Sequence, residues 1–275
     1  MIYTIACQRK WRNLASLFVK SLRVHGRYDG PIVIFTDGEL PDRTYRLPRE
    51  TAGEVIVRPL EPYLKYRFTD DFCPNNVFLA KISTGQSLLK ESDWLAYFDL
   101  DTLAVRSVRG IFGRFEADKS PIRLSWDRGR DVPRCAIDSN AHRGFLTDED
   151  RADRWIKEMC PVNAGHFMGT TAALEGMFGE WEEIALSGNH RGDSKPHLLE
   201  QSALNAWAAR YKSPREKLKW CFFRMEQIQC GYDGEVMERT VLLHLFHYGL
   251  RHMGPLFFKE HLSGLQKRRA QAQDH

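Results

Sequence analysis

No stretch of this chain approaches the roughly 18 consecutive apolar residues that a membrane span requires, so a spanning helix is not expected. The opening run Met1-Ile2-Tyr3-Thr4-Ile5 is too short for a secretory signal. Internal repeats, low-complexity tracts and an evident linker are also missing, which argues against a solenoid and against a string of small modules. Charge of one sign is not in large excess: 40 Lys and Arg stand against 36 Asp and Glu, a formal net charge of +4. The basic residues are scattered among acids and form no stripe, so no nucleic-acid partner is expected. A mild positive balance suits an anionic small substrate or a membrane surface without selecting either. The six cysteines, Cys7, Cys73, Cys135, Cys160, Cys221 and Cys230, form no C-x-x-C pair and match no zinc spacing. Reduced, mostly buried thiols in a cytoplasmic protein are the expectation.

What the chain does have is length and apolar content for one α/β domain: 275 residues, 43% of them hydrophobic. Its most informative stretch is Trp94-Leu95-Ala96-Tyr97-Phe98-Asp99-Leu100-Asp101-Thr102. A run that is apolar at every position fits a strand buried on both faces, as in a parallel sheet. On a strand, residues i and i+2 share a face, which would put Asp99 and Asp101 side by side. Neighbouring carboxylates repel unless a cation sits between them, and a hard divalent ion such as Mn²⁺ or Mg²⁺ answers that problem. The plain alternative is a strand running out into a polar turn, where Asp is common.

The rest of the chain adds support. Ile2 to Cys7 reads as a strand, Trp11 to Val24 as a helix with Leu14, Leu17, Phe18 and Leu22 on one face, and Pro31 to Phe35 as a second strand. Gly26 stands where a helix commonly ends. Strand-helix-strand order implies a parallel sheet, and open sheets of this kind bind ligands beyond the carboxyl ends of their strands. Cys7, Asp37, Asp99 and Asp101 would lie along that edge. Asp37 is a candidate for holding a nucleotide base or ribose, or is an ordinary Thr-Asp-Gly turn. Glu54 to Val57 suggests a third strand, and Asn75 or Asn76 would cap a helix running to about Lys90. Lys81 on that helix is placed to meet a diphosphate oxygen, or is a solvated helix lysine.

Pro121 to Trp126 reads as a strand, and residues 127–150 as a polar insertion near the site. Pro161 to Gly169 reads as a strand broken by small residues, with Asn163 offering a donor and an acceptor for hydroxyls and Gly165 marking a close approach of a ligand or of packing. Helices are expected at Leu174 to Leu186 and His197 to Tyr211; Glu200 and Gln201 fall in the first turn of the latter, where they would present themselves outward or merely decorate the cap. Strands follow at Lys219 to Phe223 and Thr240 to Phe246, and His244 and His247 leave the last of these. Either imidazole would complete a site with two carboxylates, a donor set that suits Mn²⁺ better than Mg²⁺. Pro255 to Ala270 reads as a helix that packs on the core or lies on a membrane surface.

In order, the chain carries Ser21-Leu22-Arg23, an apolar strand into Asp99-x-Asp101-Thr102, Asn163-Ala164-Gly165, Glu200-Gln201 with Leu204-Asn205, and His247-Tyr248-Gly249. This set resembles the nucleotide-sugar-dependent glycosyltransferases of the GT-A fold, most nearly the family-eight-like group that includes bacterial lipopolysaccharide glycosyltransferases. The resemblance implies a GT-A, Rossmann-like α/β domain over 1–275 with a mostly parallel central sheet and a smaller acceptor-side region, 1–126 forming the nucleotide-binding half and 127–275 the acceptor and sugar half. It implies a nucleoside-diphosphate sugar, commonly a UDP-sugar, as donor and a glycan or glycolipid hydroxyl as acceptor, with retention of configuration favoured. It implies Mn²⁺ on Asp99, Asp101 and either His247 or His244, the donor sugar lined by Asn163, Ala164 and Gly165, and Glu200 and Gln201 beside the anomeric carbon. The family commonly has Asp at the position of Glu200. Two other enzymatic readings are weaker. A haloacid-dehalogenase-like phosphatase would want a Gly after Asp101 and an earlier motif, and a sugar nucleotidyltransferase would want a Gly-rich loop where Cys7-Gln8-Arg9-Lys10 stands. A non-catalytic sugar-nucleotide-binding domain is the alternative outside enzymes.

Overall fold

The computed structural model describes residues 1–45, 53–65, 74–118, 121–126, 162–187, 199–210, 228–230 and 239–245. His247, the strand expected at Lys219 to Phe223, the insertion at 127–150 and the terminal helix at Pro255 to Ala270 lie outside them. The strands are β1 (Ile2–Ala6), β2 (Ile32–Thr36), β3 (Val55–Pro59), β4 (Trp94–Phe98), β5 (Thr102–Ala104), β6 (Ile122–Trp126), β7 (Val162–Thr170), β8 (Ile228–Cys230) and β9 (Leu242–His244). The helices are α1 (Arg9–Lys20), α2 (Pro74–Leu88), α3 (Arg109–Asp118), α4 (Thr171–Ser187) and α5 (Leu199–Arg210).

An uninterrupted apolar run makes a stable strand only when both of its faces are covered, and β1 and β2 are buried at every position. β1 pairs in parallel with β2 and with β4, and β2 in parallel with β3. β7 runs antiparallel to β4 and to β6. Among the described residues the central sheet has six strands in the order β3-β2-β1-β4-β7-β6. This is an α/β fold with a mostly parallel sheet, compatible with a Rossmann-like architecture.

Side-chain alternation sorts the core into two layers. Tyr3, Phe35, Tyr97 and Phe167 pack on one face with Ile82 of α2, Trp181 of α4 and Leu204 of α5. Ile2, Ile34, Phe98 and Met168 pack on the other with Phe18 of α1 and Ile111 of α3. Trp181 is fully buried, sits edge-on to Phe167 at 5.6 Å and donates its indole N–H to Glu200 O at 2.7 Å. Replacing such a ring by Ala costs about 3–5 kcal/mol. No helix among the described residues is long and apolar enough to cross a membrane.

Two local readings need correction. The first helix ends through a wider π turn, Ser21–His25, and Gly26 after it is right-handed (φ −68°). Gly26 is needed there because a Cβ would lie 2.5 Å from Leu22 O; the left-handed residue is Arg27, at φ 51°. The strand at Pro161 to Gly169 is not broken along its own length. Its irregularity is a register shift against β6, where Leu124 faces Phe167 but Ser125 faces Asn163.

The topology fixes where a ligand can enter. The chain lays β2 and then β3 on one side of β1, and returns to place β4 on the other. Strand order therefore reverses between β1 and β4, and the crevice beyond the carboxyl ends of such a pair is the usual ligand site of open α/β sheets. A small second sheet, β5-β9-β8, lies just past the end of β4.

Candidate metal centre and cavity

β4 stops at Phe98, before either aspartate. Asp99 N–H still donates to Gly165 O at 2.8 Å, but Thr102 N–H then donates to Asp99 O at 2.9 Å and closes a tight turn over Asp99-Leu100-Asp101-Thr102. The two carboxylates are thus brought together by a turn and not by the two-residue period of a strand. The turn delivers the chain into β5, and β5 pairs antiparallel with β9 so that Thr102 faces His244. Leu245 N–H donates to Asp101 O at 3.1 Å and extends that pairing. Backbone hydrogen bonds therefore hold all three residues in register.

His244 Nε2 lies 3.2 Å from Asp101 Oδ1 and 3.9 Å from Asp99 Oδ2. The three ligand atoms fall within 4.8 Å of one another. An octahedral divalent ion with ligands at about 2.0–2.1 Å spaces them about 2.9 Å apart when adjacent and about 4.1 Å when opposite, so these separations fit one ion. The group can hold a divalent metal, and the imidazole of the alternatives His244 and His247 that the described residues include is His244. Asp101 and His244 are buried, while the Asp99 side chain keeps 31% of its surface. Gly165 makes room for that carboxylate: a Cβ there would sit 2.4 Å from Asp99 Oδ2. The close approach expected at Gly165 is therefore that of a protein side chain.

The other oxygen of Asp99 is held by the protein. Tyr97 donates its hydroxyl to Oδ1 at 2.8 Å, and Lys81 Nζ lies 3.6 Å from the same atom. Burial raises the Asp99 pKa, but Lys81, the neighbouring imidazoles and the Tyr97 hydroxyl outweigh it and hold the carboxyl below its ordinary value. Lys81 is not a solvated helix lysine. It is 2% exposed, donates to Ala164 O at 3.2 Å, lies 5.0 Å above the Tyr97 ring and is 3.7 Å from Glu200 Oε1.

Glu200 does not point outward from the first turn of α5; it is 4% exposed. Burial raises its pKa, with Lys81 opposing. Its Oε2 is shielded from solvent and has no hydrogen-bond partner among the described residues. Gln201 accepts from Ala164 N–H at 3.1 Å, and one turn later Asn205 accepts from Val162 N–H at 2.7 Å and donates to Val162 O at 2.8 Å. These two amides serve the backbone of β7 where its pairing with β6 shifts. Asn163 Oδ1 is likewise committed, accepting from Gly165 N–H at 2.6 Å.

No family model and no curated protein matches this chain. Geometry therefore carries the functional argument.

A cavity of about 330 Å³ opens at the strand-order reversal. Asp99, Asp101, His244, Lys81 and Glu200 form its polar end, and Asn163, Gly165 and Gln201 adjoin them. Cys7, Trp11, Phe78 and Ile5 add apolar surface to its lining. The volume falls at the lower end of the usual small-molecule range. Ala164 stands outside the lining and contributes through its backbone alone. Asp37 also stands outside it: Arg12 Nη1 at 2.6 Å, Gln8 N–H at 2.9 Å and the Cys7 thiol at 3.3 Å occupy its carboxylate. Burial raises the Asp37 pKa, but those hydrogen bonds prevail and hold it below its ordinary value.

Two site residues were not singled out from sequence. Tyr97 precedes Asp99 by two positions, so strand parity alone could have paired them. His166, a polar residue inside an apolar strand, is fully buried and lies beside His244 with ring centroids 4.5 Å apart. Burial, reinforced by His244, pushes its imidazole well below the ordinary value, so it is neutral at neutral pH.

Proposed function

We propose that this chain is a metal-dependent glycosyltransferase of the GT-A fold, moving a sugar from a nucleoside-diphosphate sugar, a UDP-sugar in the first instance, to a hydroxyl of a glycan or glycolipid. One observation carries the reading: two carboxylates and an imidazole converge at the carboxyl end of a central parallel strand, at the rim of a cavity that also holds a buried lysine and a buried glutamate.

Asp99, Asp101 and His244 would hold Mn²⁺, or Mg²⁺, by one oxygen or nitrogen each. When bound, such an ion stabilises the negative charge that builds on a departing diphosphate. Tyr97 and Lys81 hold Asp99 Oδ1, so Oδ2 would be the oxygen offered to the metal. Glu200 Oε2 is a buried acceptor with no hydrogen-bond partner among the described residues, and a sugar hydroxyl would supply the missing donor. Gln201 stays tied to Ala164 and supports the wall against which the sugar rests. The apolar surface of Trp11, Phe78 and Ile5 suits the flat face of a nucleobase.

The test is release of nucleoside diphosphate from a panel of nucleotide sugars, with and without Mn²⁺, using an Asp101→Asn chain as control. Metal-dependent release that Asp101→Asn abolishes supports the reading. Hydrolysis of simple phosphate esters without any nucleotide-sugar requirement would favour a phosphatase, and binding without turnover a sugar-nucleotide-binding domain. The configuration of the product, read by NMR, decides between retention, which we favour, and inversion.

A further inference from the structure

We infer that His166 is a positioning residue for the metal centre: a buried imidazole, held by two hydroxyls, that keeps the His244 ring turned toward the two aspartates. The inference rests on Asp99, Asp101 and His244 holding a cation and is independent of sugar transfer.

His166 is 0% exposed and sits where β7 shifts register against β6. Its Nε2 lies 2.8 Å from Thr102 Oγ1 and its Nδ1 lies 3.3 Å from Ser125 Oγ. A neutral imidazole has one donor and one acceptor nitrogen, and a hydroxyl can serve as either, so both ring nitrogens are matched. Hydroxyls on two different strands, β5 and β6, therefore fix the plane of this ring. The His244 ring stands nearly perpendicular to it, at 83° and 4.5 Å between centroids.

Thr102 links the two histidines. It bonds His166 through its hydroxyl and faces His244 across the β5–β9 pairing. The backbone pairing sets where His244 begins, and the angle of its ring is set by what packs around it. Turning would carry Nε2 away from Asp101 Oδ1, now 3.2 Å distant. The His166 ring, packed against that of His244 and held by two hydroxyls, opposes that motion. An apolar side chain of similar size would fill the same space, so the two hydroxyl bonds are what the imidazole adds. Outer residues that orient a metal ligand are part of the metal's affinity, not only of the fold.

The experiment is a titration of the purified full chain with Mn²⁺ alone, following the free ion by electron paramagnetic resonance well below the melting temperature. His166→Phe, which fills the space without the bonds, should weaken Mn²⁺ binding by about 10-fold or more, the usual loss when an orienting partner goes. His166→Gln, which keeps a donor and an acceptor, should restore most of that loss. A folded His166→Phe chain with wild-type affinity overturns the inference. Should His166→Phe fail to fold, Ser125→Ala decides: it removes one anchor, a measurable weakening supports the inference, and unchanged affinity overturns it. A wild-type chain that binds no Mn²⁺ overturns the metal reading and this inference together. Mn²⁺ binding without sugar transfer overturns the transferase reading alone.

Discussion

Lys81 on α2 and Glu200 on α5 face each other across the polar end of the cavity, with Nζ 3.7 Å from Oε1 and both side chains almost wholly buried. Lysine is seldom buried without a partner, and here Asp99 at 3.6 Å is a second one. Removing the cation while leaving both carboxylates strands negative charge in a poorly solvated place. Lys81→Met should destabilise the metal-free chain by about 3 kcal/mol, the low end for a broken buried pair because Asp99 keeps some solvent contact. Removing a positive charge beside the metal group should also tighten cation binding. Thermal melts with and without Mn²⁺ should therefore show a larger metal-induced rise in Lys81→Met than in the wild type. An equal rise would mean that Lys81 does not share charge compensation with the metal group.

Tyr97→Phe deletes the hydroxyl that holds Asp99 Oδ1. A hydrogen bond to a charged group contributes about 1.5–3 kcal/mol, and partial exposure of Asp99 favours the lower figure. Denaturant unfolding should register that loss, and calorimetry should find weaker Mn²⁺ binding because the carboxylate is freer to swing. Unchanged affinity would show that Lys81 alone suffices to orient Asp99.

Gly165→Ala places a methyl group 2.4 Å from Asp99 Oδ2, too close for either atom to stay. Gly165 is tied to β4 through its carbonyl, which accepts from Asp99 N–H, whereas the carboxylate is the far end of a side chain and is what yields. Mn²⁺ affinity should fall sharply while the far-ultraviolet circular dichroism spectrum keeps its wild-type form. Retained metal binding in this variant would contradict the assignment of Oδ2 as the ligand atom.

The Asp37 corner has its own pH signature. Its carboxyl is held below its free value of 3.8 in the folded chain. A depressed carboxyl pKa means that the charged form is favoured by folding. The contribution is therefore complete above the free value and disappears as pH falls through the lower folded one. Asp37→Asn should be less stable than wild type at neutral pH by about 1 kcal/mol or less, as expected for a partly exposed pair. The difference should close in acid below 3.8. Guanidinium titrations at several pH values would measure it, and a difference that widened in acid would contradict the assignment.

The strands were legible because burial on both faces leaves no room for polar alternation: Ile2–Ala6 and Ile32–Thr36 lie within a residue of the bounds their apolar runs predict, and β4 coincides with the apolar run Trp94–Phe98 but stops short of the aspartates. The paired aspartates were legible for the same reason, standing at the end of such a run. The geometry that joins them was not, since a tight turn and a strand continuation differ by one hydrogen bond, Thr102 N–H to Asp99 O, that residue type does not reveal. For Lys81 and Glu200 residue type leaves a site role and a solvated one both open; the packing of α2 against β1 and β4, and of α5 against β7, turns them inward. Asp37 sits at the strand edge as expected, but Arg12, from one turn into α1, takes its carboxylate. Nothing local to either residue announces that pairing. His166 went unnoticed because a polar residue in an apolar strand has no spacing signature of its own.

The short β5–β9 pairing brings His244, from late in the chain, against a turn at Asp99 and Asp101 near its middle. An ion caught there would act as a clasp across most of the second half of the polypeptide. Closing so long a loop is entropically unfavourable before the contacts form, so part of the ion's binding energy becomes adhesion between distant segments. Stripping it with a chelator should then loosen β8 and β9 first, and amide exchange at Leu243 and Leu245 should quicken ahead of exchange in β1 and β2.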